Sequence, residues 1–262
     1  MMVNRYNNSK NGSLDANVYV QIEPIKNLRF KTVYGISYGA SEYRAYTPKY
    51  QFTPQTANTV SKVNQSHGHG LSMVWTNTLS YDFNIATEHH INALIGSELS
   101  TYDGSNTEGS NTGLIPGFDD WDHAYLVNTN GTENKTVKGS PYDSTRGMSY
   151  FARLGWTWKE RYMVNATMRA DGSSKFAKGN RWGYFPSVSA GWTISEEKFM
   201  ESVKSWFDFL KIRVSWGQVG NANINCYQYL APVSTTNTNY NFGSGGGQDA
   251  WVTGSYLSLI HI

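Results

Sequence analysis

The chain has 262 residues and a formal net charge of +2, and 39% of its residues are hydrophobic. This near-neutral balance gives no electrostatic argument for nucleic-acid binding, which needs a basic patch or stripe. No run approaches the roughly 20 apolar residues of a membrane-spanning helix, so any membrane-spanning form of this chain must be a β-barrel.

Eight segments alternate apolar with polar side chains, and this period of two predicts β-strands with one apolar face. The clearest covers residues 14–23, where Leu14, Val18 and Ile22 share one face. The other seven strands are predicted at about 28–39, 70–81, 89–99, 148–158, 162–170, 185–194 and 212–216. Residues 195–210 follow the seventh strand, and Ser195, Glu196 and Glu197 suit the cap and first turn of a helix there.

The connections between these strands alternate in length. Short ones follow the first, third and fifth strands, at 24–27, 82–88 and 159–161. Longer polar ones follow the second, fourth and sixth, at 40–68, 100–147 and 171–184. Short periplasmic turns and long extracellular loops are typical of outer-membrane barrels, and aromatic residues near the strand ends fit the interfacial belts. The pattern therefore predicts an all-β fold, an antiparallel transmembrane β-barrel.

Residues with catalytic or metal-binding chemistry are present without a suitable arrangement. The pairs His67/His69 and His89/His90 lack further ligands at suitable spacing. The G-x-S-x-G string at residues 35–39 lies inside the second predicted strand and not at the strand-to-helix turn of a nucleophile elbow. We therefore predict no enzyme, and we assign no catalytic residue, no metal ligand and no cofactor.

Three strings of sequence are the most specific feature. Residues 169–176 are RADGSSKF, residues 181–199 are RWGYFPSVSAGWTISEEKF, and residues 210–221 are LKIRVSWGQVGN. In this order and spacing they closely resemble the SusC/RagA family of TonB-linked outer-membrane transporters of Bacteroidetes.

The resemblance implies a barrel of about 22 strands with a lumenal plug, of which this chain supplies about eight strands. It also implies uptake of oligosaccharides, or less often peptides, across the outer membrane. The implied partners are a SusD-like surface lipoprotein, the TonB-ExbB-ExbD complex and outer-membrane lipid, with no nucleic acid. Trp121 and Tyr125, in the longest loop, are the candidate substrate-binding residues that would stack on sugar rings.

The expected organisation has three parts. Residues 1–13 are interpreted as an incomplete extracellular segment, 14–219 as barrel wall, and 220–262 as a truncated extracellular loop whose last residues carry no weight. Because no signal peptide precedes the first strand, we expect an internal piece of a longer protein. The alternative is a secreted β-sandwich that binds carbohydrate through its aromatic residues.

Overall fold

The computed structural model describes residues 6–132, 135–140, 144–203, 206, 208–226 and 229–230, and the short segments 233–234, 239–241, 247–249 and 252–253. Eight long strands dominate these residues. They are β1 (Tyr6–Ile25), β2 (Leu28–Thr47), β3 (Lys62–Ile85), β4 (His89–Thr112), β5 (Thr145–Trp158), β6 (Tyr162–Ser173), β7 (Trp182–Thr193) and β8 (Lys211–Gly217).

The eight strands hydrogen-bond to one another in chain order, from β1 at one edge to β8 at the other. The short strand Thr136–Gly139 adds to β4, which makes the sheet nine-stranded. Two-stranded pairings outside this sheet join Tyr50–Gln51 with Ala57–Asn58, Val233–Ser234 with Val252–Thr253, and Asn239–Asn241 with Gly247–Asp249. All of the predicted strands are therefore present.

Two compact units make up the chain. The first contains Met1–Tyr19, Val33–Trp75 and Ser100–Ser144, and the second contains Val20–Thr32, Thr76–Leu99 and Thr145–Ile262. The buried hydrophobic core of the described residues lies in the first unit, where it consists of Tyr46, Val63, Leu114 and Ala124. In the second unit the sheet itself carries the apolar surface.

Antiparallel register in the second unit aligns the apolar side chains across four strands. Val188 pairs with Ala166 on β6 and with Trp216 on β8, and Ala166 pairs with Leu154 on β5. Because paired residues point to the same side of a sheet, each such row continues one apolar face. Large side chains on this face stay exposed, including Val214 at 68% and Leu154 at 53%. The predicted alternation is confirmed here residue by residue.

The strands are longer than the sequence pattern predicted. β1 begins at Tyr6 where residues 1–13 were expected to be loop, and β4 continues to Thr112 into the predicted loop 100–147. The extra residues are polar on both faces, so hydropathy alternation could not reveal them. The order of connection lengths is nevertheless as predicted, with turns at 26–27, 86–88 and 159–161 and longer segments after β2, β4 and β6.

The predicted helix over 195–210 is wrong. The chain forms two short 3₁₀-helices instead, Ile194–Glu196 and Lys198–Val203, and a third lies at Leu126–Asn128. Phe199 and Trp206 are 64% and 87% exposed. These apolar side chains have helical spacing but pack against no surface of the second unit, so packing does not stabilise an α-helix there. Among the described residues, none of the helices has the length and apolarity needed to cross a bilayer.

Residues 1–262 expressed alone are expected not to form a monodisperse, β-rich, heat-resistant species in detergent. Among the described strands, the outer edges of β1 and β8 have no partner, and unpaired edges promote association with other chains. Size-exclusion chromatography, circular dichroism and electrophoresis before and after boiling measure the three properties. Recovery of a species with all three would contradict the prediction.

Candidate functional site

Trp121 and Tyr125 lie in the connection after β4, and the first unit brings both rings onto one guanidinium group. The Cζ atom of Arg44, in β2, lies 4.0 Å from the ring centroid of Trp121 and 4.2 Å from that of Tyr125. Both distances are within the roughly 6 Å range of cation–π attraction. Arg44 Nη1 is buried and has no hydrogen-bond partner among the described residues, so the two rings are its main neighbours.

The two rings differ in what remains open to a ligand. Trp121 stacks on Tyr6, with ring centroids 5.8 Å apart, and packs against the buried core. Tyr125 keeps 42% of its surface exposed. It lines a cavity of about 170 Å³ with Arg44 and polar side chains that include Lys10 and Glu42. Tyr125 is therefore the more accessible of the two predicted residues.

Tyr46, in β2, holds the same loop through hydrogen bonds to Asp119. Its hydroxyl donates hydrogen bonds to the Asp119 carbonyl oxygen at 3.0 Å and to Asp119 Oδ1 at 3.3 Å. Lys49 Nζ lies 2.9 Å from Asp119 Oδ2. Burial, and then the negative charge of Asp119, raise the pKa of Tyr46 to about 12, so the phenol stays neutral and remains a donor.

Further hydrogen bonds tie this loop to side chains of the strands and of Ser61, which directly precedes β3. The Leu126 amide donates to Gln65 Oε1 at 2.8 Å, and the Leu114 amide donates to Ser61 Oγ at 3.1 Å. Asn111 Nδ2 donates to Thr129 Oγ1 at 2.8 Å. The connection after β4 is therefore a folded cap on the sheet, although its polar sequence predicted only a long loop.

Contacts within the first unit show which face of the sheet this cluster occupies. The Tyr34 hydroxyl donates to Met73 Sδ at 3.1 Å, and both residues belong to the apolar face. Arg44 lies an even number of residues from Tyr34 on β2, and Gln65 lies an even number from Met73 on β3. Even spacing on a strand keeps side chains on one face. The aromatic–arginine cluster therefore lies on the face that carries the apolar band.

The opposite face of the first unit is lined by small and polar residues. An added Cβ on Gly68 would lie 3.0 Å from Ser41 Oγ and 3.3 Å from Asn106 Oδ1. A cavity of about 540 Å³ opens on this face, lined also by Ser37 and Tyr102. Trp121 and Tyr125 line no part of this polar cavity.

A second cluster, in the second unit, surrounds Glu197. Its carboxylate accepts hydrogen bonds from the Tyr162 hydroxyl, from Trp192 Nε1 at 3.1 Å and from Arg161 Nη1 at 3.4 Å. Trp158, Tyr162 and Trp192 are stacked in a row, with successive centroids 5.3 and 6.4 Å apart. The hydrogen bond from Tyr162 is the main cause that lowers the pKa of the Glu197 carboxyl. Glu197 thus orders an aromatic belt. The sequence had suggested a different role, in which Glu197 stabilises the dipole of a helix from its first turn.

His89 and His90 have structural partners. The His89 ring stacks on Trp156 and on Trp158, each with centroids 5.9 Å apart, and Trp156 Nε1 lies 3.1 Å from His89 Nδ1. His90 Nδ1 lies 2.9 Å from Asn84 Oδ1. Within the part of the chain that the structure describes, no three His, Cys, Asp or Glu residues form a group suited to a metal ion.

Sequence reasoning missed Arg44 and misassigned Glu197. Arg44 lies in a segment that was predicted to be loop, so no strand alternation located its face. Glu197 had a signal that was available: it follows Trp192 by five residues at the end of a strand, where aromatic belts need hydrogen-bond acceptors.

Comparison with known proteins gives the family. A profile described as TonB dependent receptor-like, beta-barrel, matches residues 3–257, which is nearly the whole chain. The chain therefore belongs to this family, and its sheet is part of a TonB-dependent receptor barrel.

Curated relatives and solved structures agree with that assignment. TonB-dependent receptor P39 of Formosa agariphila is 29% identical over 224 residues, which are 81% of this chain and 20% of P39. TonB-dependent receptor SusC of Bacteroides thetaiotaomicron is 47% identical over 94 residues, 36% of this chain and 9% of SusC. The RagAB peptide importer in its open-open state matches with a TM-score of 0.76 at 25% identity, over 95% of this chain and 26% of that chain.

These matches confirm the predicted resemblance to SusC/RagA-like TonB-linked transporters and the predicted barrel fold. The chain spans about a fifth of P39 and about a quarter of the solved chain.

Replacing Arg44 with Met in the full-length receptor should loosen the cap formed by residues 113–131. The substitution keeps the aliphatic stem and removes two cation–π contacts, together worth about 1–2 kcal/mol. Hydrogen exchange at the Leu126 amide should then rise roughly tenfold, because it reports local opening of the loop. Arg213→Met, on exposed β8, is the control and should leave that exchange rate unchanged. Equal rates in both variants would contradict the role of Arg44.

Replacing Glu197 with Gln should remove one pH-dependent contribution to stability. Because the folded-state pKa of Glu197 is lowered, its carboxylate stabilises the fold above the ordinary glutamate pKa, and this contribution is lost as pH falls through the folded value. The full-length receptor is incubated at pH 3 to 7 and heated, and the temperature at which its electrophoretic mobility changes is measured. This temperature should be lower for Glu197→Gln than for wild type near neutrality, and the difference should disappear on acidification. Glu201→Gln, from the same connection, should follow wild type throughout. A gap that is independent of pH would count against this mechanism.

Proposed function

We propose that these residues belong to an importer that carries nutrients across the outer membrane of a Gram-negative bacterium, and that they supply barrel wall and extracellular loops. The observation that carries the proposal is the division of one sheet into a continuous apolar face and a polar face. A barrel built this way meets hydrocarbon outside and encloses a polar lumen. Membership of the TonB-dependent receptor family supports the same function.

Charged side chains on the polar face are paired with one another in the second unit. Arg29 forms an ion pair with Asp82, which also accepts a hydrogen bond from Asn92. Arg169 Nε lies 2.6 Å from Asp171 Oδ1, and Arg169 Nη2 lies 3.4 Å from Glu98 Oε1. Such charges are costly against lipid and tolerated in a wet lumen, which supports the assignment of this face to the transport path.

The partners follow from the same proposal. A SusD-like lipoprotein would cover the extracellular mouth, and the TonB-ExbB-ExbD complex would supply energy through parts of the receptor outside this chain. Outer-membrane lipid would contact the apolar face. The role of these residues is transport and not catalysis, in keeping with relatives that are named as TonB-dependent receptors.

The cargo is proposed to be an oligosaccharide, with a peptide as the second candidate. RagAB is described as a peptide importer, so the shared fold serves at least that cargo in a relative. Stacking of sugar on Trp121 and Tyr125 stays part of the proposal. The exposed ring of Tyr125 supports it, whereas the position of both rings on the apolar-band face weakens it.

The alternative of a secreted carbohydrate-binding β-sandwich is wrong. A sandwich buries its apolar faces between two packed sheets. The described strands form one large sheet with an exposed apolar face, and the family match places it in a receptor barrel.

Uptake by the full-length receptor tests both levels of the proposal. Deleting the receptor should abolish uptake of labelled oligosaccharide or peptide by cells, and re-expression should restore it. The double variant Trp121→Ala/Tyr125→Ala should reduce glycan uptake several-fold, because a sugar ring would lose both aromatic surfaces on which it stacks. Undiminished uptake by the double variant would remove both residues from the proposal and leave transport itself intact.

A further inference from the structure

The second unit contains a cavity of about 960 Å³ that the wall function does not explain. Three parts of the chain form it: the turn 174–181 after β6, the first residues of β7, and residues 218–222 and 229 after β8. Its lining includes Phe176, Asn180, Arg181, Phe185, Gln218 and Tyr229. The volume falls within the roughly 300–1,000 Å³ of small-molecule sites.

Phe185 and two glycines form the frame of this cavity. A Cβ atom on Gly220 would overlap the Phe185 ring, and one on Gly183 would lie 2.6 Å from it. The Phe185 ring therefore fits between β7 and the residues after β8 only because residues 183 and 220 have no side chain. The backbone amide of Gln218 donates to the Pro186 carbonyl at 3.0 Å, which continues the pairing of β8 with β7 beyond the last residue of β8.

Pairing shows that Phe185 belongs to the polar face. It pairs with Arg169 across β6 and β7, whereas its neighbours Tyr184 and Pro186 pair with the apolar-face residues Ala170 and Met168. Arg169 in turn bonds to Asp171 and Ser149 on the polar face. In a barrel this face is the lumen, so the wall formed by Phe185 faces the transport path.

The cavity wall combines aromatic rings with neutral amides. The side-chain amides of Asn180 and Gln218 have no hydrogen-bond partner among the described residues. The negative charge of Asp171 is already met by Arg169. Arg181 Nε donates to the Phe176 carbonyl at 3.3 Å, which holds its side chain along the turn. This wall offers few free charges and several donors and acceptors.

A neutral sugar fits that chemistry better than a peptide. A pyranose ring has an apolar C–H face that packs on an aromatic ring, and a rim of hydroxyls that pair with amide donors and acceptors. A peptide ammonium terminus would need a free carboxylate, and Asp171, the one acidic residue of the described lining, is already paired with Arg169. The one cation of that lining, Arg181, is held along the turn by its bond to the Phe176 carbonyl.

We propose that this cavity is a subsite for one neutral sugar unit of the imported oligosaccharide, with Phe185 as the stacking surface and Asn180 and Gln218 as the selecting hydrogen-bond groups. The proposal rests on the import function, since the site must face the path of the cargo.

Binding to the full-length receptor in detergent tests this subsite. Maltohexaose, cellohexaose and mannohexaose are titrated separately by calorimetry, with hexaglycine as the peptide probe. At least one hexasaccharide should bind to wild type, and Asn180→Ala/Gln218→Ala should bind it roughly tenfold more weakly, because two pairs of hydrogen bonds are lost. Asn223→Ala/Gln51→Ala is the matched control, since both residues lie outside the cavity lining, and it should bind as wild type does. Heat-dependent mobility verifies that each variant is folded.

The outcomes separate the subsite from the import function. Equal affinity of the cavity variant and wild type, with hexasaccharide uptake intact, overturns the subsite alone. Binding of hexaglycine that the cavity variant weakens overturns the sugar assignment. Binding of none of the three hexasaccharides overturns the subsite as a sugar site, and uptake of none of the four probes by cells counts against the import function as well.

Discussion

The physical constraint on which the structure depends is that side chains alternate strictly across a strand. In the second unit, antiparallel pairing places Val188, Ala166, Leu154 and Trp216 in one row, and the neighbouring rows repeat the arrangement. Contact of this apolar face with hydrocarbon is favourable, whereas its contact with water is unfavourable. Removing apolar surface from water contributes about 25 cal/mol for each Å². These energies support the proposal that lipid covers the apolar face, and the edges of β1 and β8 favour pairing with further strands.

The polar side chains have different roles, which depend on their position along the strands. Mid-strand charges pair across the polar face, as Arg169 does with Asp171 and Glu98. At the short-turn end of the strands, Glu197 holds stacked aromatic rings by accepting their hydrogen bonds. In the first unit, beyond the apolar band, Tyr46 and Arg44 hold a folded loop through a buried phenol and a guanidinium between two rings.

Much of this was predictable from the sequence, because alternation and turn chemistry are local. Residues 14–22 carry their face assignment in their own spacing, and the short connections locate the turns within two or three residues. The extension of β1 back to Tyr6 was not predictable, because residues 6–13 are polar on both faces and their pairing depends on the neighbouring strand. The helix over 195–210 failed for the opposite reason: its spacing is helical, yet nothing packs against Phe199.

The candidate sites show the same division between local and distant information. Trp121 and Tyr125 were selected for their ring chemistry, and only tertiary contacts with Arg44 and Tyr6 show that one ring is occupied and the other open. The cavity beside Phe185 depends on residues 183 and 220 approaching one ring from separate segments. A glycine in a string of sequence indicates a close approach without naming the partner. The partner here is an aromatic ring on the polar face, and confining a ring between two backbones in advance lowers the entropy cost of any stacking on it.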